Sequence, residues 1–167
     1  MSQTADTLDR SDDAVVEHFD VLIVGAGISG VGAAYHLQEQ YPERSFVVLE
    51  KFESFGGTWL THTYPGIRSD SDLYTFGYRF KPWVGPPIAT ADEILAYMGE
   101  VIEENGIDRH IRYNHAISSA EWSSADNTWT LHGTRTDPAT GETSPITFTT
   151  NFLWMCQGYY RHEKGYT

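Results

Sequence analysis

Three glycines within the six residues Gly25-Ala26-Gly27-Ile28-Ser29-Gly30 constrain the fold of this chain more than any other feature. They follow a short apolar run, Phe19 to Val24, which is rich in β-branched residues and typical of a strand buried on both faces. Apolar residues then recur at helical spacing until Pro42, and residues 45–50 (SFVVLE) repeat the buried-strand pattern. The sequence therefore predicts a strand, a helix and a second parallel strand, the βαβ unit of a doubly wound α/β fold.

The glycine spacing matches the GxGxxG pattern of dinucleotide-binding loops and lies between a strand and a helix, as that pattern requires. Gly25 is expected to make the tight turn, Gly27 to let the backbone approach a pyrophosphate, and Gly30 to let helix and strand pack closely. The helix N-terminus would supply N–H groups and a partial positive charge. Glu50 ends the second strand, 20 residues after Gly30, where a carboxylate binds the adenosine ribose and would repel a 2′-phosphate. This favours FAD or NAD over NADP, the alternative being an ordinary βα turn with a surface glutamate.

Residues 51–87 resemble one long loop, because glycines and prolines interrupt every candidate element. Gly56-Gly57-Thr58-Trp59 follows the second strand within six residues, whereas in an NAD domain that strand normally leads into another helix. Two adjacent glycines allow a second close approach of the backbone to a diphosphate and ribityl chain, which favours FAD. Nine aromatic residues in this loop predict an ordered segment packed around something flat.

The rest of the chain predicts one more helix and a small sheet. Residues 90–93 (TADE) form a capping box, and apolar residues at helical spacing follow it up to Gly106. Alternating apolar residues from Ile111 to Ile117, and then in two later runs, predict an antiparallel meander. Residues 152–156 (FLWMC) predict a third parallel strand. The predicted fold class is thus α/β: a Rossmann-like βαβ unit with an inserted antiparallel meander.

Composition limits the function classes. The chain has 167 residues, which is enough for one domain of typical size and too few for two. Because 23 Asp+Glu outnumber 11 Lys+Arg, nucleic acid and anionic membrane surfaces are not expected as partners. The single cysteine, Cys156, excludes a redox cysteine pair, and hence a flavin disulfide reductase, and favours a cytoplasmic location. The seven histidines show no metal-like spacing, so no metal site is expected.

The first 18 residues are polar and acidic, with no apolar stretch suited to a secretion signal or a membrane span. They are predicted to form a disordered tail. Residues 19–167 are predicted to form the N-terminal segment of an FAD-binding domain.

The motifs GAGISG, LEKFESFGGTW and YPGIRSDSD together resemble the flavin-dependent Baeyer–Villiger monooxygenases, class B flavoproteins that are related to the flavin-containing monooxygenases. The runs LYTFGYRFKPW, GIDRHIRYNH and CQGYY are most similar to the branch that includes an ethionamide-activating enzyme. The resemblance covers about residues 19–167. It implies bound FAD, NADPH as cosubstrate, and O2, which forms a C4a-peroxyflavin that oxygenates a ketone or a sulfur-containing small molecule.

The resemblance also implies which residues contact the cofactor. The pyrophosphate would be held by Gly25, Gly27, Ile28, Ser29 and Gly30, and the adenosine by Glu50, Lys51 and the backbone of Ile117. The ribityl chain and ring would be lined by Gly57, Thr58 and Trp59. The flavin and nicotinamide would lie near Arg68, Ser69 and Asp70. No catalytic residue is assigned beyond the placement of Arg68 and Asp70. For Asp70 and Asp72 the alternative is a turn or a helix cap.

Two motifs of the family are missing from this sequence: the second GxGxxG, which binds NADPH, and the linker FxGxxxHxxxWP. The chain is therefore expected to be an N-terminal fragment that lacks the NADPH-binding domain, needs the remainder of a parent chain to complete its site, and is inactive alone. Its sheet is expected to leave an edge and apolar faces uncovered. The alternatives are a non-catalytic remnant or an FAD- or NAD-binding module.

Overall fold

A computed structural model describes residues 16–159 and contains a single six-stranded sheet in the order β3-β2-β1-β6-β5-β4. The strands are β1 (Glu17–Val24), β2 (Phe46–Leu49), β3 (Ile111–Arg112), β4 (His115–Ser123), β5 (Thr128–Thr136) and β6 (Thr143–Met155). The helices are α1 (Ile28–Gln40), α2 (Thr58–Thr61), α3 (Leu73–Phe76) and α4 (Ala91–Glu104), with a 3-10 helix at Asp108–His110. β1 pairs in parallel with β2 and β6, and α1 connects β1 to β2. The predicted α/β class and its βαβ unit are confirmed.

Strand β1 begins two residues before the predicted boundary at Phe19. Glu17 and His18 pair with β6, and the Glu17 carboxylate accepts hydrogen bonds from the Arg112 guanidinium at 2.6 and 2.8 Å. The polar character of these two residues suggested a tail, but each has a specific partner across the sheet. Residues 1–15 of the predicted tail lie outside the described residues.

Strand β6 unites two elements that the sequence suggested were separate. Its residues 143–150 pair antiparallel with β5, and residues 148–155 pair in parallel with β1. The third parallel strand is confirmed. The predicted antiparallel meander consists of β4, β5 and the first part of β6, and it is continuous with the parallel sheet through β6.

The predicted strand through Ile111 and Ile117 is wrong, because two strands occupy this stretch. β3 pairs in parallel with β2 at one edge of the sheet, whereas β4 forms the opposite edge. Between them, Asn114 has φ 60°, a left-handed conformation that ends a strand. The alternation of apolar residues continues across this break and therefore concealed it.

Apolar clusters cover both faces of the sheet. Ile23 and Val48 pack with α1 and α4 on one face, and Leu22 and Leu49 pack with the meander on the other. Alternate residues of β2 and of positions 21–24 in β1 thus face opposite cores, which explains why both of these runs are apolar throughout.

Helix α4 begins with the predicted capping box. The Thr90 N–H donates to the Glu93 carboxylate at 2.8 Å, and the Glu93 N–H donates to the Thr90 hydroxyl at 3.3 Å. Gly106, at φ 58°, follows the helix end. Between residues 16 and 159, no helix is long and apolar enough to cross a membrane.

The last residues of β6 leave apolar surface uncovered. Phe152, Trp154 and Met155 are 56%, 39% and 50% exposed, respectively. Phe152 and Trp154 also line a cleft of about 500 Å³ beside Leu37 and Tyr41.

Candidate functional site

The candidate site lies where the parallel strands β1, β2 and β6 end. The Gly25 N–H donates to the Leu49 carbonyl and the Cys156 N–H to the Val24 carbonyl, both at 2.8 Å. The glycine loop, Glu50 and the end of β6 are therefore neighbours. The carboxyl edge of parallel strands is where open α/β sheets bind their ligands.

Gly25 and Gly30 occupy positions that no other residue fits. Gly25 has φ 102°, and a Cβ on it would lie 2.6 Å from the Cys156 carbonyl oxygen. A Cβ on Gly30 would lie 1.8 Å from the Gly25 carbonyl oxygen. This geometry is the one required for the predicted tight turn and the predicted close packing of helix on strand.

A second pair of glycines lies against the first loop. The Gly56 N–H donates to the Ala26 carbonyl at 3.0 Å. A Cβ on Gly57, which has φ 55°, would lie 3.1 Å from the Gly27 Cα. The two glycine loops therefore meet backbone to backbone beside the N-terminus of α1.

The first turn of α1 carries the features of an anion site. Its N-cap is Gly27, which has no side chain to cap the helix, and the first turn contains no acidic residue. Ile28 is half-buried and Ser29 is exposed. The N–H groups of such a turn suit a phosphate ligand.

Glu50 is buried, at 5% exposure, and its carboxylate binds the glycine loop itself. One carboxylate oxygen accepts a hydrogen bond from the Ala26 N–H at 2.7 Å, and the other accepts from the Phe52 N–H at 3.0 Å. The sequence predicted a ligand contact for this residue and missed this structural role. Each carboxylate oxygen has more than one lone pair, so acceptor capacity for a ribose hydroxyl remains.

Lys51 follows Glu50 in the chain, and Ile117 belongs to the strand that begins beside it. The exposed Lys51 ammonium lies 4.5 Å from the centre of the Phe52 ring. Ile117 is half-buried in β4, a strand that begins with a hydrogen bond from the His115 N–H to the Glu50 carbonyl at 2.8 Å. The start of β4 is thereby placed beside the end of β2.

Thr58 and Trp59 belong to α2, directly after the second glycine pair. Thr58 is exposed, and Trp59 is half-buried with its ring 6.1 Å from that of Phe76. Both residues follow Gly57 and are therefore adjacent to the meeting point of the loops.

The segment Arg68–Asp70 is anchored to the start of α4. The backbone of Arg68 forms an isolated antiparallel β-bridge with that of Thr90. The buried Ser69 donates its N–H to the Ala89 carbonyl at 2.9 Å. The side chains of Arg68 and Asp70 are exposed. Asp72 accepts a hydrogen bond from the Thr75 N–H at 2.9 Å, so the helix-cap alternative is correct for that residue.

The aromatic residues of the long loop pack on protein elements. Tyr35 of α1 stacks on Phe80 with the ring centres 3.5 Å apart, and Tyr78 lies between Phe80 and Tyr97 of α4. The flat partner that the sequence suggested is, for these residues, another aromatic ring. Tyr78 also contacts the glycine-loop helix, a role for which the sequence gave no specific signal.

Two further features involve groups that belong to neither glycine loop. A cleft of about 530 Å³ is lined by Arg112, His115 and Arg135, among others. Burial raises the pKa of the Cys156 thiol, which favours the neutral form. Within residues 16–159, no group of three or more His, Cys, Asp or Glu side chains is arranged to hold a metal ion.

Comparison with known proteins identifies relatives of this chain. A family model described as an NAD(P)-binding Rossmann-like domain matches residues 23–84. The chain is 51% identical over 154 residues to the FAD-containing monooxygenase EthA of Mycobacterium tuberculosis, covering 92% of this chain and 30% of that protein. It is 44% identical over 148 residues to a probable FAD-binding monooxygenase, AlmA, of an Acinetobacter species, covering 88% and 29%.

Solved structures give the same result. An oxidized steroid monooxygenase bound to NADP superposes with a TM-score of 0.72 at 28% identity, covering 84% of this chain and 26% of the other. A cyclohexanone monooxygenase, at 21% identity and a TM-score of 0.73, shares the fold over 89% of this chain and 28% of its own. The resemblance to flavoprotein monooxygenases is confirmed, and the chain spans about 30% of the length of the curated relatives it matches.

Proposed function

We propose, from this homology to FAD-containing monooxygenases, that the chain binds FAD as the N-terminal part of an NADPH- and O2-dependent monooxygenase. The observation that carries the proposal is the contact between Gly27 and Gly57, which joins two glycine loops at the N-terminus of α1. One such loop suits any dinucleotide. The second loop supports a cofactor whose pyrophosphate continues into a ribityl chain.

The residues at the carboxyl edge of the sheet fit the parts of FAD. N–H groups at residues 28–30 would bind the pyrophosphate, where a side chain at Gly27 or Gly57 would obstruct the approach. Glu50 would orient the adenosine ribose, with Lys51 and the backbone of Ile117 on the same side. Gly57, Thr58 and Trp59 would line the ribityl chain and the ring.

The bound flavin would supply the redox and oxygen-transfer chemistry, and the protein would bind, orient and shield it. Arg68, Ser69 and Asp70 would lie on the nicotinamide side, where the exposed Arg68 guanidinium suits a phosphate or an amide. The substrate of the whole protein would be a small ketone or a sulfur-containing molecule. The remainder of the parent chain would complete the site, and the cytoplasm is the proposed location.

Titration of the purified chain with FAD and separately with NAD⁺ tests this proposal. We expect quenching of flavin fluorescence and a lower dissociation constant for FAD than for NAD⁺. Tighter binding of NAD⁺, or no binding of FAD, would contradict the proposal and favour the NAD module instead.

The Glu50→Ala variant tests the adenosine side of the site. Loss of hydrogen bonds from the ribose to a carboxylate is expected to raise the dissociation constant of FAD about tenfold or more. Glu53→Ala, which removes an exposed carboxylate three residues further on, is the matched control. Because Glu50 also binds two backbone N–H groups, affinity is compared only between samples that circular dichroism shows to be folded. Unchanged affinity in the Glu50 variant would place the adenosine elsewhere.

A further inference from the structure

One tyrosine far along the chain holds the first turn of α1. The Tyr78 hydroxyl donates a hydrogen bond to the carbonyl of Ile28, the first residue of that helix, at 2.7 Å. One turn further on, Gly32 faces the ring of Tyr78, since a Cβ there would lie 3.0 Å from its Cε1 atom. Tyr78 therefore contacts α1 through both its hydroxyl and its ring edge.

Tyr78 is itself held in place by α4. Its backbone N–H donates to the hydroxyl of Tyr97 at 2.7 Å, and Tyr97 donates in turn to the Lys81 carbonyl. The Tyr78 ring stacks on Phe80 and Tyr97 with interplanar angles of 17° and 21°. Tyr97 is 3% exposed and belongs to the main core. The first turn of α1 is thus tied through Tyr78 to a buried residue of α4.

The protonation state of Tyr78 suits this contact. A carbonyl oxygen can only accept a hydrogen bond, so the phenol must keep its proton. Burial raises the pKa of Tyr78, and the nearby Tyr97 raises it further. The hydroxyl therefore remains a donor throughout the neutral and mildly alkaline range.

We propose that Tyr78, together with Gly32, is a positioning residue for the cofactor: it fixes the first turn of α1 in the orientation in which its N–H groups bind the FAD pyrophosphate. This inference rests on the proposed function. A phosphate site made of backbone N–H groups depends on the direction of those groups, and the residues that set this direction need not touch the ligand.

Two variants separate positioning from general stability. Tyr78→Phe removes the hydroxyl and keeps the ring. Gly32→Ala places a methyl group against the ring, which must shift by a few tenths of an ångström, while alanine favours the helix more than glycine does. We expect the FAD dissociation constant to rise about threefold to tenfold for Tyr78→Phe and about threefold for Gly32→Ala.

The control is Tyr74→Phe. Tyr74 is 60% exposed, and its hydroxyl donates to the Gly85 carbonyl within the same long loop. This variant removes the same atom as Tyr78→Phe, but from a hydroxyl that bonds only within the loop as described. FAD affinity is therefore expected to stay at the wild-type value. A merely structural role for Tyr78 would instead lower the unfolding midpoint and leave the affinity of the folded protein unchanged, and that result would overturn the proposal.

Hydrogen exchange without FAD provides a readout that does not depend on the cofactor. The Val31 N–H donates to the Gly27 carbonyl at 3.0 Å in the first turn of α1. In Tyr78→Phe this amide is expected to exchange about threefold or more faster, relative to amides of α4. Equal exchange rates in the variant and the wild type would refute the positioning role, whether or not the chain binds FAD. Absence of FAD binding to the wild-type chain would by itself contradict only the proposed function. If Tyr78→Phe does not fold, Gly32→Ala decides by the same two measurements.

Discussion

Replacement of Glu50 by glutamine should destabilise the fold strongly, although the two side chains have almost the same shape. The carboxylate is 5% exposed and accepts hydrogen bonds from the N–H groups of Ala26 and Phe52. Glutamine offers one acceptor oxygen and one NH2 group. One of the two backbone N–H groups would then face another donor in a buried position.

The magnitude follows from these two contacts. A hydrogen bond to a charged group contributes about 1.5–3 kcal/mol, so the pair contributes roughly 3–6 kcal/mol. Glutamine retains one neutral bond, which contributes about 1 kcal/mol. The expected loss is therefore about 2–5 kcal/mol, a large fraction of the roughly 5–15 kcal/mol by which domains are stable.

Urea denaturation at neutral pH, followed by circular dichroism, measures the change in the free energy of unfolding. Glu53→Gln is the matched control, because it makes the same chemical change at an exposed carboxylate in the same loop. It should change stability by less than about 0.5 kcal/mol. If Glu50→Gln also changed stability by less than about 0.5 kcal/mol, the carboxylate would not hold the glycine loop as the structure indicates.

Two further predictions concern packing and pH. Gly30→Ala should lower the free energy of unfolding by more than about 4 kcal/mol or prevent folding, because its Cβ would lie 1.8 Å from a backbone oxygen. Gly66→Ala, at φ 77° and in open space, should lower it by about 1–3 kcal/mol. Equal losses in a denaturation experiment would contradict this prediction. Burial holds the pKa of His110 and His115 in the folded protein below the ordinary value of 6.5. As the pH falls below about 6.5, these histidines therefore bind protons in the unfolded chain before they do so in the folded protein, and the folded protein loses stability. Denaturation midpoints at pH 7.5, 6 and 5 should therefore decrease, and less steeply when both histidines are replaced by glutamine; an equal slope in that variant would refute the assignment.

The parts of the fold that the sequence predicts are those with local causes. The βαβ unit follows from the residues between Phe19 and Glu50, where apolar runs and glycine spacing act within a few residues of one another. The start of α4 follows from the capping box at Thr90 and Glu93, a contact between residues three positions apart. Such features need no knowledge of the rest of the chain.

The parts that escaped prediction depend on distant contacts. Residues 143–155 form one strand because β5 pairs with its first part and β1 with its second. β3 joins the parallel sheet by pairing with Val48, more than 60 positions earlier in the chain. The residues next to β3 in the sequence do not indicate this pairing. In the same way, Glu50 matched a ligand pattern, but its bond to the Ala26 N–H depends on how two strand ends are placed together.

The glycine loop is held by three segments that follow it in the chain. Glu50 binds the Ala26 N–H, Gly56 binds the Ala26 carbonyl, and Tyr78 binds the Ile28 carbonyl. Two of these contacts use carbonyl oxygens, whereas a pyrophosphate requires N–H groups, so these contacts and the proposed ligand do not compete. A site built from backbone N–H groups cannot be adjusted by exchanging its own side chains, because glycine is required there. The precision of the proposed site would therefore come from the segments that fix the loop, which include the aromatic-rich stretch after β2.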